Sequence, residues 1–295
     1  MRRKILLNFI ILGIIFLFFG CISWPRGWDS FNYKAPKGKI SSLLNKAKKQ
    51  ELKTNTKEKL LELIKIYEEI ISIDSHNKRV LLNLGAYYFL AAYGYSVDKQ
   101  DKEKYYHRSL FYFEKVMYFN PAFKLLVDSG EDVWEACRVL TENEMEAMLG
   151  WYFSSYAFLG ECLSAPSKLF NISWISKEET IITKLMELDD TWGDGIIYYA
   201  LACRYAALPG VLGGDIEKAA EYFDKAIKLG PRMLNFRRTR AKYLHVKTKN
   251  KKAFVEDLKW VLSQDPYKAG LTYPFNAFIQ RDSQEMLDDI KVLFE

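Results

Sequence analysis

The sequence has few residues of the kinds that build catalytic or metal sites. Among its 295 residues are three histidines, His76, His107 and His245, and four cysteines. The histidines are isolated from one another, and no zinc-protease, nucleophile-elbow or phosphate-loop motif is present. So few cysteines exclude a disulfide-rich scaffold. The sequence therefore predicts a non-catalytic protein that needs no metal and no other cofactor.

Long stretches of alternating apolar and polar residues, which are typical of strands, are also absent. From Lys39 onward most apolar residues recur at intervals of three and four, the spacing of a helix with one buried face. Cys137, Cys162 and Cys203 lie in such helical contexts, which favours buried thiols that act as small apolar residues. The pattern predicts an all-α protein with a substantial core, since 49% of the residues are hydrophobic.

The first twenty residues resemble a secretory signal peptide. A basic start at 2–4 precedes an apolar stretch at 5–19, and a Gly-Cys pair ends at Cys21. The pair resembles a bacterial lipobox, in which the cysteine thiol receives a diacylglyceryl group and becomes the new N-terminus. Phe18 and Phe19 depart from the usual lipobox residues. An uncleaved transmembrane anchor is therefore the alternative, although the run is short for a span of about 20 residues.

This N-terminus divides the chain into three parts. We expect a signal peptide at 1–20, a lipidated N-terminus and tether at 21–39, and a TPR-like helical domain at 40–295. Residues 22–39 contain proline and glycine without a helical period, which is typical of a linker. Cleavage would lower the net charge from +6 to +3. The expected location is the outer side of a bacterial membrane, facing the periplasm or the cell surface, where nucleic acid is not a partner.

The helical region shows an irregular repeat. Similar helix endings, most of them at a proline, lie near residues 75, 121, 190, 231 and 266, so the intervals are 46, 69, 41 and 35 residues. Only the last is close to the period of about 34 residues in a tetratricopeptide repeat. We therefore predict an irregular TPR-like helical-hairpin solenoid. The long interval should hold an inserted helix pair at about 131–150 and 151–164.

The second helix of such a repeat carries small, aromatic and small residues, followed by proline, at fixed offsets. The segment that fits at every position contains Ala219, Phe223, Ala226 and Pro231. A second segment fits with one enlarged residue and contains Ser109, Phe113, Val116 and Pro121. A third fits only in spacing and contains Phe254, Leu258, Val261 and Pro266. A solenoid buries its core by stacking repeats, and its curvature forms a groove. Binding is therefore the first functional inference.

Aromatic residues make up 15% of the chain and cluster in three helical segments. The main interpretation is packing, because each helix of a layered solenoid has two buried faces. The alternative is a ligand cleft, since such pockets are mostly apolar with a few polar groups and tyrosine supplies both. On this alternative the candidate ligand-binding residues are Tyr88, Trp134, Trp151, Tyr152 and Tyr199.

The segment at 208–215, with the sequence LPGVLGGD, replaces the tight turn of a plain repeat. Asp215 is placed to cap the helix that starts after it, while Gly213 and Gly214 allow positive φ and close backbone approach. The spacing matches no phosphate-binding motif. A shaped turn is the main interpretation, and a partner surface that also includes Pro209 is the alternative.

The segment at 232–252 contains nine basic residues and no acidic one. Most charge runs are solvated helix faces. Because this run is long and uncompensated along the sequence, an acidic partner or anionic lipid headgroups are an equal alternative. Arg237 and Arg240 are the candidate contact residues.

The clearest similarity to a known family lies in the stretch from Ala207 to Asp215 and in the helix that follows it, at 218–227. These residues, with the closing helix that ends at Phe294, resemble the TatT family, the T component associated with TRAP (tripartite ATP-independent periplasmic) transporters. Plain repeat proteins would explain the helices but not the Leu-Gly-Gly-Asp insert.

The resemblance implies a periplasmic lipoprotein that partners a TRAP-type substrate-binding protein and captures or channels small, hydrophobic organic acids. It also allows a homo-oligomer, such as a trimer, with a central pore, and it supplies no catalytic residues. The alternative is a TPR-like envelope assembly lipoprotein that holds other proteins together by binding extended peptides in its groove.

Overall fold

A computed structural model describes residues 24–29 and 38–295, and all regular structure in these ranges is helical. The predicted all-α class is therefore confirmed. The predicted signal peptide and Cys21 lie outside the described residues. The helices are α1 (Ser41–Glu51), α2 (Lys57–Ile73), α3 (Lys78–Tyr95), α4 (Lys99–Met117), α5 (Pro121–Asp128), α6 (Val133–Ala136), α7 (Met145–Cys162), α8 (Ala165–Phe170), α9 (Trp174–Asp189), α10 (Trp192–Ala207), α11 (Ile216–Leu229), α12 (Leu234–Arg240), α13 (Lys251–Leu262), α14 (Tyr273–Asp288) and α15 (Ile290–Phe294).

Consecutive helices form packed pairs. The closest pairs are α3 with α4 and α10 with α11, and α4 also packs against α7. The residues that matched the repeat pattern form the seams of these pairs. Ala219, Phe223 and Ala226 of α11 are completely buried, and so are Phe254 and the other two matching positions of α13. The pattern therefore identified which face of each second helix is buried.

The inserted region differs from the predicted helix pair. The structure has the short α6, two single 3₁₀ turns and then one continuous helix, α7, which crosses the predicted boundary at 150/151. Thr141 and Glu144 form a reciprocal capping box just before α7, so the helix begins there. Gly150 does not interrupt α7, because its missing side chain makes room for the ring of Phe113 on α4.

The C-terminal end returns to the first half of the chain. Phe278 of α14 packs edge-on against Tyr93 of α3 with ring centroids 6.0 Å apart. The guanidinium of Arg281 donates a hydrogen bond of 3.0 Å to the carbonyl of Gly94, at the end of α3. An open solenoid contacts only neighbouring repeats. Here α14 also contacts the end of α3, so the C-terminal part of the chain touches a helix of the first half.

The six residues Trp24–Asp29 also differ from the prediction of a tether. Trp24 is only 5% exposed and lies in the main core with residues of α4 and α7. This part of the predicted linker is therefore folded onto the helical body. Among the described residues, no helix is long and apolar enough to cross a membrane.

Candidate functional site: an aromatic recess

Half-buried aromatic side chains from several helices lie close to one another. On α3, the rings of Phe89 and Tyr93 stack with centroids 5.4 Å apart. On α7, Phe153 lies 5.8 Å from the ring of Tyr199 on α10. The Tyr199 hydroxyl is 3.1 Å from the hydroxyl of Thr239 on α12. Phe89 and Tyr93 are four residues apart, so they lie on the same face of α3.

The charged member of this group is Arg238 on α12, which is 3% exposed. It donates hydrogen bonds to the hydroxyl of Tyr93 at 2.8 Å and to the carboxylate of Asp282 at 2.6 Å. Burial alone would lower the pKa of Arg238, but Tyr93 and Asp282 hold it above its ordinary value. A cation is thereby fixed, permanently charged, beside the aromatic rings.

Cys203 of α10 lies next to Tyr199 in this group. Its side chain is half-buried, yet burial raises the pKa of its thiol to about 12. Tyr199, Cys203 and Tyr243, which follows α12, pack against one hydrophobic cluster, and Tyr156 of α7 is a further neighbour of the thiol. We call the whole group the aromatic recess; its members are Phe89, Tyr93, Phe153, Tyr156, Tyr199, Cys203, Arg238 and Tyr243.

Next to the recess, the hydroxyl of Tyr152 is buried without a close hydrogen-bond partner among the described residues. The carboxyl group of Glu178 is also buried, and its polar neighbours are Ser155 and Trp134. Tyr152 stacks on Tyr156 of the recess with ring centroids 5.9 Å apart. Burial raises the pKa of Glu178 to about 8, so this carboxyl is protonated at neutral pH.

The five predicted ligand residues fall in different places. Tyr199 lines the recess, and Tyr152 lies next to it. Trp134 and Trp151 are in the core, edge to face at 5.3 Å. Tyr88 lies apart, where its hydroxyl donates to Glu68 at 2.7 Å. In this structure the packing interpretation describes Trp134, Trp151, Tyr152 and Tyr88, and their contact with a ligand stays a prediction.

The recess residues Cys203, Arg238 and Tyr243 were not identified from the sequence. Arg238 was assigned only to the basic segment, and Tyr243 follows it in a π-helical turn at Ala241–His245, where the regular helical spacing fails. The spacing of Tyr199 and Cys203, four residues apart on α10, is the feature that could have pointed to the second of them.

The loop between α10 and α11 has the predicted local structure. Asp215 accepts hydrogen bonds from the backbone amides of Glu217 and Lys218 at 3.0 and 3.1 Å. Gly213 has a φ of 88°. A Cβ on Gly214 would lie 1.9 Å from the carbonyl oxygen of Leu208, so glycine is required there. Pro209 closes the loop, since its carbonyl accepts from the amides of Leu212 and Gly214.

The arginines at 237–240 of the basic segment have acidic partners, which the local sequence does not show. Arg237 and Arg240 both donate to the buried carboxylate of Asp257 on α13, over 3.0 and 2.7 Å. Arg240 also reaches Asp224 on α11 at 2.6 Å. Burial opposes the charge of Asp257, but the bonds from His245, Arg240 and Arg237 lower its pKa to about 2. The acidic partners come from other helices.

These charged residues border a surface cleft of about 460 Å³ between α11, α12 and α13. The guanidinium of Arg237 lies 4.6 Å from the ring centroid of Trp260, also on the wall of the cleft. Over the described residues, no three His, Cys, Asp or Glu side chains are grouped so that they could hold a metal ion.

A comparison with curated proteins found no match. A comparison with protein-family profiles matched residues 56–294 to the TRAP transporter T-component family, TAtT. The match spans α2 to α15 and contains every residue of the aromatic recess. It confirms the resemblance to the TatT family. The chain belongs to the TRAP transporter T-component family.

Proposed function

We propose that the protein is a non-catalytic, lipid-anchored accessory subunit of a TRAP-type uptake system. It docks a periplasmic substrate-binding protein and holds or channels small, hydrophobic organic acids. Family membership supports the association with TRAP transport. The organic-acid ligand, the substrate-binding protein as partner and the lipid anchor go beyond what family membership supports.

The aromatic recess is the observation that carries the ligand part. Its walls are aromatic rings, and its polar groups are tyrosine hydroxyls and one guanidinium, that of Arg238. Such a lining suits a small molecule with an apolar body and one anionic end. Because Asp282 already balances Arg238, the carboxylate of the ligand would be held by hydrogen bonds as much as by net charge.

The loop between α10 and α11 supports the docking part. Val211 at its tip is 93% exposed, and Pro209, Gly213, Gly214 and Asp215 fix the backbone around it. A rigid loop that presents an apolar side chain fits a pocket on a partner. We assign Arg237 and Arg240 to the adjacent cleft as rim contacts of the same surface.

The proposed anchor is a diacylglyceryl group on Cys21, which places the protein on the outer side of a bacterial membrane. The family resemblance also implies a homo-oligomer, such as a trimer, and the mass of the purified protein in solution tests that point.

The ligand is tested by titrating the purified protein with hexanoate, using calorimetry and native mass spectrometry. The recess-filling variant Cys203→Phe should lose binding. Tyr205→Phe is the matched control, because Tyr205 lies on the same helix but stacks on Tyr222, which is not a recess residue, at 5.6 Å. Equal binding by Cys203→Phe and the unaltered protein would refute a ligand site in the recess.

The partner is tested by a pull-down from periplasmic extract at low salt, with the captured proteins identified by mass spectrometry. We expect a solute-binding protein to be captured and Val211→Asp to abolish its capture. Val292→Asp is the control, since Val292 is 78% exposed and lies near the C-terminus, outside the loop. Capture of envelope assembly proteins instead would favour the scaffold alternative.

A further inference from the structure

The segment that follows the proposed lipid anchor is fixed to the helical body by a buried carboxylate. Glu114 of α4 has no exposed surface. Its oxygens accept hydrogen bonds from Nε1 of Trp24 at 3.0 Å, from the backbone amide of Gly27 at 2.8 Å and from the guanidinium of Arg26 at 3.1 Å. Nε1 of Trp151 on α7 adds a fourth donor at 3.1 Å. We call these contacts of residues 24–27 with Glu114 the N-terminal clasp.

Aromatic packing reinforces the clasp. The ring of Trp24 lies 5.8 Å from that of Trp174 on α9 and 6.2 Å from that of Trp151. The guanidinium of Arg26 covers the outer side of the Trp24 ring at 4.5 Å. A side chain of this size, buried among other aromatic rings, is held in one position.

Gly27 and Trp28 extend the contact along α4 and α5. A Cβ on Gly27 would lie 2.5 Å from the backbone amide of Lys115 and 2.5 Å from the carbonyl of Phe111, so only glycine allows this approach. Trp28 stacks on Tyr118 with ring centroids 5.9 Å apart. The segment therefore occupies a fitted groove on the body.

Cys21 precedes Trp24 by three residues, which span at most about 11 Å when fully extended. An acyl group on Cys21 must therefore lie close to the place where Trp24 enters the core. We propose that the clasp holds the body against the lipid bilayer by one defined face, formed by α5 and by the segment from α8 to the start of α9. The inference rests on the proposed lipid anchor at Cys21.

That face carries apolar side chains in solvent. Leu169 and Ile172 are 71% and 41% exposed in the segment just before Trp174, which contacts Trp24. Leu125 of α5 is 72% exposed, and Phe123 of the same helix contacts Trp28. The apolar surface near the anchor point is favourably buried in the headgroup and acyl boundary of a membrane.

The orientation is tested by hydroxyl-radical footprinting of the full lipoprotein on phosphatidylcholine–phosphatidylglycerol vesicles. Mass spectrometry gives the oxidation rate of each side chain and, from the N-terminal peptide, the acylation of Cys21. We expect Leu169, Ile172 and Leu125 to be oxidised several-fold more slowly than in acyl-free protein. Val211 and Val292, which are 93% and 78% exposed, are the controls and should be unchanged.

A second variant separates the clasp from the lipid. A flexible Gly-Ser spacer of about 20 residues, placed between Cys21 and Trp24, keeps both the acyl group and the clasp but releases the body from the surface. In this variant, Leu169, Ile172 and Leu125 should be oxidised as fast as in acyl-free protein. Protection that persists with the spacer, or that is already present in acyl-free protein as a contact between copies, would overturn the proposal.

The test also distinguishes the proposed lipid anchor from the proposed orientation on the bilayer. An N-terminal peptide without acyl mass would overturn the proposed anchor and the orientation together. An acylated peptide combined with an unprotected Leu169 would overturn the orientation alone and leave the proposed ligand and partner functions intact.

Discussion

Trp24 and Glu114 are 90 residues apart in the sequence, yet the indole of Trp24 donates a 3.0 Å hydrogen bond to the Glu114 carboxylate. Burial raises the pKa of Glu114, and the charge of Arg26 with the surrounding donors lowers it in part. A carboxyl group in this position depends on the N-terminal segment for most of its hydrogen bonds. Residues 24–29 are therefore structural.

We expect Trp24→Ala to lower the free energy of unfolding by about 3–5 kcal/mol, because it removes a buried indole and leaves Glu114 short of a donor. Urea denaturation of acyl-free protein that begins at residue 22 measures the change. The control is Val97→Ala at a side chain that is 97% exposed, where the effect should stay within about 0.5 kcal/mol. Equal midpoints for both variants would show that the segment is not part of the folded core.

Two glycines of α7 make a matched pair. A Cβ on Gly150 would lie 2.2 Å from the ring of Phe113, whereas nothing lies within 4 Å of the corresponding position on Gly160. Gly150→Ala should cost about 1–3 kcal/mol through overpacking. Gly160→Ala should stabilise the helix by about 0.5–1 kcal/mol. Thermal unfolding distinguishes them, and a stabilising Gly150→Ala would contradict the observed contact of α7 with α4.

Glu178 should make stability fall with rising pH. Burial raises its pKa to about 8 in the folded protein, well above the value of about 4.3 expected in the unfolded chain. The folded state thus binds the extra proton between these values, and its advantage is lost as pH rises through 8. Glu178→Gln should flatten the slope of unfolding free energy between pH 5 and 8 that urea titrations measure. An unchanged slope would show that Glu178 ionises normally.

Asp257 should matter far more than its neighbour Asp224. Asp257→Asn removes the buried negative charge and one of the two acceptor oxygens that Arg237 and Arg240 share, and breaking a buried ion pair in this way costs about 3–5 kcal/mol. The side chain of Asp224 is 72% exposed, so Asp224→Asn should cost less than about 1 kcal/mol. Guanidinium denaturation of both variants tests this difference. Similar losses of unfolding free energy in the two variants would show that the buried carboxylate of Asp257 contributes no more than the exposed one of Asp224.

Thiol reactivity tests the access to the aromatic recess. Cys203 keeps some exposure but has a pKa raised by burial to about 12, whereas Cys162 is 3% exposed with a pKa raised to about 11. If access governs the rate, Cys203 is alkylated first, and more slowly than a free thiol. Peptide mass spectrometry after iodoacetamide treatment gives the order. Labelling of Cys203 only after the protein is denatured would contradict access to the recess.

Local features were predictable because they depend on neighbouring residues. The capping role of Asp215, the positive φ of Gly213 and the buried seam at Ala219, Phe223 and Ala226 all follow from residue types at short spacing, and the structure confirms them. The family resemblance came from the same stretch of the chain.

Features that depend on distant residues were not predictable. The partner of Arg240 is Asp257, which lies on another helix, so a sequence window over 232–252 could only report excess positive charge. In the sequence, Glu114 looks like an acidic residue on a polar helix face, because its partner Trp24 lies 90 residues away. The aromatic recess combines residues of α3, α7, α10 and α12 that lie far apart in the sequence, and no periodicity in the sequence encodes their contact.

The contact between α14 and α3 affects how the protein unfolds. An open repeat array can lose its terminal repeats one at a time, while the remaining ones stay folded. Here the bond between Arg281 and the carbonyl of Gly94 joins segments 187 residues apart. Fraying at the C-terminal end would therefore uncover α3 and the recess at once, so the two halves are expected to unfold as one cooperative unit.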